Sequence, residues 1–140
     1  YSDFLKQMKT CPFCDMNGRE KVCENETSIL TYALAPYHKH HLLIVPKSHK
    51  TLLTEITGKE AADVSALEKV GAKILHKLGY SSITLLVREG DHSGKTVAHI
   101  HYHVIPEISL GNSDHAGSDR MILSDNEVTS LVQELKSLTL

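Results

Sequence analysis

"AHIHYHVIP", residues 98–106, places three histidines in strict alternation with apolar residues. Successive side chains of a β-strand point to opposite faces, so residues two positions apart share a face. The stretch therefore predicts a strand with His99, His101 and His103 on one face and apolar side chains on the other, core-facing side. Three histidines in such a row favour a metal-binding or catalytic face over a merely solvated one.

One metal ion held by all three histidines fits such a strand poorly. At a rise of about 3.3 Å per residue, the outer two Cα atoms lie about 13 Å apart. Metal–nitrogen bonds of about 2.0–2.1 Å would have to converge across that span. The geometry of a straight strand therefore favours separate tasks for the three imidazoles.

Four further segments of the chain are rich in β-forming residues and predict strands. They span residues 20–24, 28–35, 40–46 and 81–89. Short connections between strands favour antiparallel pairing. We therefore expect an α+β class, with a mostly antiparallel five-stranded sheet, one long helix packed on it and a C-terminal helix.

Two segments carry helix signals both in their periodicity and at their ends. Residues 57–79 place apolar side chains three and four apart, begin with a capping box of Thr57 and Glu60, and reach a stop signal at Gly79. Residues 124–138 repeat the pattern and begin with a second capping box. The first segment predicts the long helix that covers the sheet.

Length, charge and cysteine count limit the classes of function. The 140 residues suffice for one domain, which we expect to span residues 1–140. A net charge of −2 gives no electrostatic attraction to nucleic acid or to an acidic membrane surface. No apolar run approaches the roughly 20 residues of a membrane helix. Three cysteines suit a reducing compartment, so we expect a cytoplasmic protein. From the charge and the short apolar runs we expect neither nucleic-acid nor membrane partners.

Cys11 and Cys14 form a Cys-x-x-Cys pair with the spacing of a zinc knuckle. A redox motif is the competing interpretation, but that motif belongs to a βαβ setting, which this sequence lacks. A tetrahedral structural zinc needs two more ligands, and His49 and His99 are candidates. One zinc ion per chain would then tie a knuckle at residues 9–18 to the sheet.

The loop GDHSGKT, residues 90–96, precedes the histidine row. Its glycines expose backbone N–H groups that can cradle an anion, and Lys95 adds positive charge. A plain hairpin turn is the alternative interpretation. Beside the histidines, we favour phosphate binding by Gly94 and Lys95.

The sequence resembles the histidine triad (HIT) superfamily, whose signature alternates three histidines with apolar residues. HIHYHVI, residues 99–105, matches that signature across seven positions, with Tyr102 at an apolar place. HLLIVPKSH and REGDHSGKTVAH resemble the strand and glycine-loop segments of the family, and CPFC resembles the Cys-x-x-Cys of its zinc-bearing members. The resemblance implies a HIT-like fold with a catalytic core at residues 20–106 and a C-terminal loop and helix at 107–140.

Members of that family are nucleotidyl hydrolases and transferases. The resemblance therefore implies cleavage at the α-phosphate of a nucleoside polyphosphate or a nucleoside phosphoramidate. The middle histidine of the family is the nucleophile, which makes His101 the candidate for a covalent nucleotidyl-histidine. By the same match, His103 contacts the phosphate and leaving group, His41 supports the site, and Thr96 donates to the leaving group. The first triad histidine of zinc-bearing members is a metal ligand, which favours a zinc set of Cys11, Cys14, His49 and His99.

Two positions depart from the family pattern and bear on the substrate. Many members carry Asp-Ile-x-Pro, with an Asp that binds the ribose hydroxyls, where this chain has Ala33–Pro36. Many carry Asn or Gln near the phosphate where this chain has Arg88, whose guanidinium can bind a phosphate in a bidentate manner and favour a more anionic substrate. A nearby carboxylate, Glu89 or Asp91, could equally engage Arg88.

The resemblance also implies an assembly and leaves two other functions open. Members usually pair two chains by joining their sheets and long helices, so we expect a homodimer. The competing functions are a nucleotide-binding protein of HIT fold without catalysis and a hydrolase whose zinc is catalytic rather than structural. Four further histidines are expected to be mostly solvated: His38, His40, His92 and His115.

Overall fold

A five-stranded antiparallel sheet lies at the centre of the fold. The computed structural model describes residues 11, 13–14, 20–90, 99–107 and 122–139. Within them the strands are β1 (Cys23–Glu24), β2 (Ser28–Tyr32), β3 (Leu42–Pro46), β4 (Ile83–Val87) and β5 (Tyr102–Pro106). Their order across the sheet is β1-β2-β3-β5-β4, and every neighbouring pair is antiparallel. The predicted α+β class and five-stranded sheet are confirmed.

Helix α1 (Gly58–Lys77) is the long helix that the apolar periodicity predicts. Thr57 caps it, because its side chain accepts the N–H of Glu60 while the Glu60 carboxylate accepts the N–H of Thr57 at 2.9 Å. The chain leaves the helix through Gly79, whose φ of 97° lies in the left-handed region that glycine tolerates. Helix α2 (Asp125–Ser137) begins with the second predicted capping box. Neither helix in the described part of the chain has the length and apolar character needed to span a membrane.

The two faces of the sheet have different partners. Helix α1 covers one face, where the main core includes Leu30, Leu42, Ile44, Val64, Leu67, Ile74, Leu75 and Val104. The other face carries a smaller apolar cluster of Phe13, Ile29, Ala33, Leu43 and Val45. His103 lies on this second face, because it pairs with Leu43 across β3 and β5. The helix therefore supports the sheet from one side and leaves the other side for the histidines.

The histidine row is not one continuous strand, which corrects the expectation from its alternation. Strand β5 begins at Tyr102, so of the three histidines only His103 lies within it. In the register of β3 with β5, Ile100 would face Pro46, which has no N–H to donate. Ile100 instead donates its N–H to the carbonyl of Lys50 at 2.7 Å. The first two histidines therefore belong to a segment that has left the ladder, and the other strands are also shorter than predicted.

Helix α1 lies close against the sheet at Gly71. A Cβ at this position would lie 3.5 Å from Leu42 Cδ1 and 3.6 Å from Val104 Cγ1, which are ordinary van der Waals distances. Gly71→Ala should therefore fit and raise the free energy of unfolding by roughly 0.5–1 kcal/mol, because alanine favours the helix. Gly71→Leu should lower it by about 1–3 kcal/mol, since the larger side chain separates helix and sheet. Urea unfolding measures both, and a destabilised Gly71→Ala protein would contradict this packing.

Candidate functional site

Four metal-binding side chains converge between the Cys-x-x-Cys knuckle and the sheet. They are Cys11, Cys14, His49 and His99, and their donor atoms all lie within 4.8 Å of one another. His99 Nδ1 lies 3.5 Å from Cys11 Sγ, 3.6 Å from Cys14 Sγ and 3.2 Å from His49 Nδ1. Cys14 Sγ lies 3.0 Å from His49 Nδ1. The fold thus brings together the four residues that the sequence named as one set.

The three separations from His99 fit a single tetrahedral ion. With metal–sulfur bonds of about 2.3 Å and metal–nitrogen bonds of about 2.0–2.1 Å, tetrahedral ligands lie about 3.6 Å apart for sulfur and nitrogen and about 3.3 Å apart for two nitrogens. The three separations from His99 agree with these values to within about 0.1 Å, and the fourth separation is shorter. Two thiolates and two imidazoles are also a donor set that suits zinc. The site could therefore hold a metal of this kind.

The ring of His99 is oriented for coordination by a hydrogen bond on its far side. Its Nε2 lies 2.8 Å from the carbonyl oxygen of Pro46, and since a carbonyl can only accept, Nε2 carries the proton. Nδ1 then presents its lone pair to the two sulfurs and to His49. Burial lowers the pKa of His99, which favours the neutral ring. Nitrogen and sulfur atoms that converge in this way could hold a cation between them.

His101 is held by the backbone of the same segment. Its Nδ1 donates to the carbonyl oxygen of His99 at 2.9 Å, which leaves Nε2 as the nitrogen with the lone pair. Its ring packs against Phe13 with the centroids 4.9 Å apart, and Phe13 also makes an edge contact with the His99 ring at 5.9 Å. The result is a buried imidazole with one defined direction for its lone pair.

A second pair of histidines fixes the proton of His103. The backbone N–H of Tyr37 donates to His41 Nδ1 at 3.1 Å, so the proton of a neutral His41 is on Nε2. This Nε2 lies 2.8 Å from His103 Nδ1 and donates to it. The proton of a neutral His103 is therefore on its own Nε2, which can donate to a ligand.

His101 and His103 offer complementary groups side by side. Their ring centroids lie 4.9 Å apart, and one ring presents a nitrogen lone pair while the other presents an N–H donor. A phosphorus atom that carries negatively charged oxygens could be attacked by the first group and held by the second. The ring of His99, which faces the knuckle cysteines, is thus separate from the two rings that can meet a ligand.

The remaining residues predicted to bind phosphate lie at or beyond the end of β4. Arg88 is half-buried, and its Nη1 donates to the hydroxyl of Tyr37 at 3.2 Å. Gly94, Lys95 and Thr96 lie outside the residues that the structure describes. Of this group, the structure therefore places only Arg88.

His40 is buried, which corrects the expectation that it is solvated. It is 5% exposed, and its ring nitrogens lie 2.6 Å from the hydroxyl of Tyr80 and 2.7 Å from the carboxylate of Glu134. Glu134 belongs to α2, so these contacts tie the C-terminal helix to the segment before β3. Of the other histidines in that group, His38 is half-buried, and His92 and His115 lie outside the described residues.

Two aromatic residues contribute to the site although the sequence did not predict them. Phe13 lies between the two cysteines of the knuckle, and that position is the one signal that could have linked it to the histidines. Tyr37 stacks on His41, with ring centroids 5.6 Å apart and planes 17° apart. No local motif marks Tyr37, because its hydrogen bond to Arg88 joins residues 51 positions apart.

The fold and the histidine arrangement define a protein of the HIT class. The family model described as HIT domain matches residues 16–109, and the chain belongs to the histidine triad family. Adenosine 5′-monophosphoramidase hnt1 of Schizosaccharomyces pombe is 26% identical over 132 residues, which cover 91% of this chain and 97% of that protein. A bifunctional bis(5′-adenosyl)-triphosphatase/adenylylsulfatase of Arabidopsis thaliana is 35% identical over 81 residues, 55% of this chain and 45% of that protein.

Solved structures share the fold over most of the chain. A histidine triad family protein from Mycobacterium smegmatis, described as Zn-bound, superposes with a TM-score of 0.72 at 24% identity, covering 93% of both chains. A histidine triad nucleotide-binding protein from Sulfolobus tokodaii, described as hypothetical, gives a TM-score of 0.75 at 21% identity and covers 92% of this chain and 91% of that one. The HIT-like architecture is therefore confirmed.

Metal binding should depend on the knuckle cysteines. Cys14→Ser should remove stoichiometric metal and lower Tm, because a closed Cys₂His₂ site contributes to folding. Cys23→Ser is the matched control, since Cys23 lies in β1 outside the four donors and should leave the metal content unchanged. Elemental analysis and the visible spectrum of the cobalt-substituted protein measure the effect. Full metal content in Cys14→Ser would rule out this donor set.

Proposed function

We propose that this chain is a nucleotide hydrolase or transferase that cleaves at the α-phosphate of nucleoside polyphosphates or nucleoside phosphoramidates. The observation that carries the proposal is the lone pair on His101 Nε2 beside the N–H on His103 Nε2, each fixed by a hydrogen bond at the other ring nitrogen. The names of the relatives support the substrate class. One relative is named as an adenosine 5′-monophosphoramidase and another as a bis(5′-adenosyl)-triphosphatase/adenylylsulfatase.

In the proposed reaction His101 is the nucleophile. Its Nε2 forms a bond to the α-phosphorus while the bond from phosphorus to the leaving group breaks, and the electron pair departs with the leaving group. The His99 carbonyl accepts the Nδ1–H of His101 and stabilises the positive charge that the ring gains. His103 Nε2–H stabilises the negative charge on the phosphate oxygens.

The second step of the proposed reaction releases the nucleotide. A water molecule attacks the phosphorus, the P–N bond breaks, and its electron pair returns to His101 Nε2. The proton of the water passes to solvent, and a nucleoside monophosphate leaves. Attack by another hydroxyl compound in place of water would make the same reaction a transfer. Splitting one difficult displacement into two easier ones is the general benefit of a covalent intermediate.

The nucleotide phosphates are bound, in this proposal, by Arg88 and by the loop that follows it. The guanidinium supplies a permanent positive charge with several N–H donors. Backbone N–H groups near Gly94 and the ammonium of Lys95 bind further oxygens. Thr96 donates its hydroxyl to the leaving group. Together with His101 and His103, these side chains form the proposed nucleotide site.

The metal in this proposal is one structural zinc per chain, held by the Cys₂His₂ set. Four protein donors fill a tetrahedral shell and leave no position for substrate, which favours a structural over a catalytic ion. The zinc in the description of the Mycobacterium smegmatis protein supports the choice of metal. Cysteine ligands stay reduced most readily in the cytoplasm, which is the compartment we assign.

His101→Ala should lower turnover by on the order of 10³-fold or more, because it removes the nucleophile. Nucleotide binding should persist, since other groups contact the phosphates. Chromatography measures hydrolysis of diadenosine triphosphate and adenosine 5′-phosphoramidate, and calorimetry measures binding of adenosine monophosphate. His76→Ala, in the last turn of α1, is the matched control and should keep wild-type turnover.

The outcomes separate this function from its two competitors. Mass spectrometry after a neutral quench should detect a nucleotidyl adduct on the wild type and none on His101→Ala. Nucleotide binding with neither turnover nor adduct would instead indicate a non-catalytic binding protein. Loss of turnover on chelation before any unfolding would indicate a catalytic zinc. Full activity of His101→Ala would exclude the proposed nucleophile.

The proposal also includes a homodimer formed through β4. This strand lies at the edge of the sheet with β5 as its neighbour, and an edge strand can pair with a second chain. Leu85 in the middle of β4 is 53% exposed, although it pairs with the fully buried Val104. A symmetric contact between two β4 strands would cover this leucine in both chains.

Leu85→Lys should shift the protein from dimer to monomer, because it places a charge in the apolar contact. Light scattering coupled to size-exclusion chromatography measures the change. Ile122→Lys serves as the control. Ile122 is also an apolar residue with an exposed fraction of 37%, but it precedes α2, and that helix packs on β2. A dimer that survives Leu85→Lys at all concentrations would contradict this interface.

A further inference from the structure

The sheet register directs Arg88 to the face that carries His103. Leu86 pairs with His103 across β4 and β5. Side chains alternate along a strand, so Arg88, two residues later, is directed to the same face as Leu86 and His103. It lies one residue past the end of β4, next to Val87, which pairs with Tyr102.

Tyr37 holds the guanidinium in this place. Arg88 Nη1 donates to the Tyr37 hydroxyl at 3.2 Å, and Arg88 Cζ lies over the Tyr37 ring, 5.9 Å from its centroid. The same ring stacks on His41, which donates to His103. The rings of Tyr37 and His41 therefore connect the Arg88 guanidinium to His103, the imidazole proposed to contact the phosphate oxygens.

The permanent charge of Arg88 is the property that matters for substrate choice. A guanidinium stays protonated throughout the working pH range. The carboxylate of the neighbouring Glu89 accepts the N–H of Leu53, which begins the short 3₁₀ turn Leu53–Glu55. The neighbouring carboxylate thus bonds to the turn before α1, and the guanidinium places its own positive charge on the face of the sheet that bears His103.

A fixed positive charge near the reacting phosphorus affects different leaving groups in opposite ways. When the bond from phosphorus to an oxygen of phosphate or sulfate breaks, the electron pair leaves on oxygen, and the cation stabilises the growing negative charge. When the P–N bond of a phosphoramidate breaks, the nitrogen must gain a proton to leave as a neutral amine. A nearby cation disfavours that protonation.

We propose that Arg88, held by Tyr37, is a specificity-determining residue that favours acid anhydrides, whose leaving group departs as an oxyanion, over phosphoramidates. The inference rests on the proposed function and narrows its substrate class. Phosphate and sulfate leaving groups share the relevant chemistry, so one substrate of each kind belongs in the test.

The test compares kcat/KM for three substrates that share the adenylyl group: diadenosine triphosphate, adenosine 5′-phosphosulfate and adenosine 5′-phosphoramidate. Arg88→Gln should lower the ratio of anhydride to phosphoramidate kcat/KM by about 10–100-fold, because the charge is lost. Arg88→Lys keeps the charge and should recover part of the ratio. Tyr37→Phe removes the acceptor of Nη1 and should shift the ratio in the same direction by less. This variant also gives the answer if the Arg88 variants do not fold.

The outcomes distinguish failure of this inference from failure of the proposed function. Equal losses on all three substrates, or an unchanged ratio, would overturn the selectivity role of Arg88 while the hydrolase assignment stands. A wild-type protein that cleaves none of the three substrates would contradict both the role of Arg88 and the proposed hydrolase function. A ratio that changes for only one of the two anhydrides supports the inference and identifies the leaving group.

Discussion

The hydrogen bond from His99 Nε2 to the carbonyl of Pro46 fixes a ring on which both halves of the site depend. It turns Nδ1 of His99 toward the knuckle cysteines and His49, while the backbone carbonyl of His99 accepts the Nδ1–H of His101. Pro46 also has no N–H to extend the ladder, so the residue at which β3 ends is the one that orients the metal-facing ring. Pro46 thereby sets the direction of His99 Nδ1, and the backbone of His99 sets the direction of the His101 lone pair.

Backbone groups determine the other proton positions of the site in the same manner. The N–H of Tyr37 places the proton of His41 on Nε2, and His41 in turn places the proton of His103 on its outer nitrogen. Each of the four rings, those of His41, His99, His101 and His103, therefore receives its tautomer from main-chain geometry or from a ring that main-chain geometry has fixed. Such preorganisation removes the cost of reorienting donors when charge develops on a ligand.

Local sequence patterns predicted where both helices begin. They did not predict the start of β5 or the burial of His40, which depend on residues far away in the sequence. Both capping boxes are local signals, and both helices begin where those signals indicate. The need of a cysteine pair for two more ligands similarly pointed to His49 and His99, which the fold brings to the knuckle. The alternation of histidines and apolar residues predicted a β5 that is too long, because the start of that strand depends on Pro46, 53 positions from His99. The burial of His40 likewise depends on α2, to which no motif connects it.

Phe13 links the knuckle to His101, and this contact has a structural consequence. Its buried ring touches both His99 and His101, while its backbone is bounded by Cys11 and Cys14. Because the cysteines and the phenyl ring belong to one short stretch of chain, a displacement of the knuckle would displace the ring as well. The packing of His101 would then change without any modification of the histidine itself. The knuckle is thereby part of the packing of His101 as well as a set of possible metal donors.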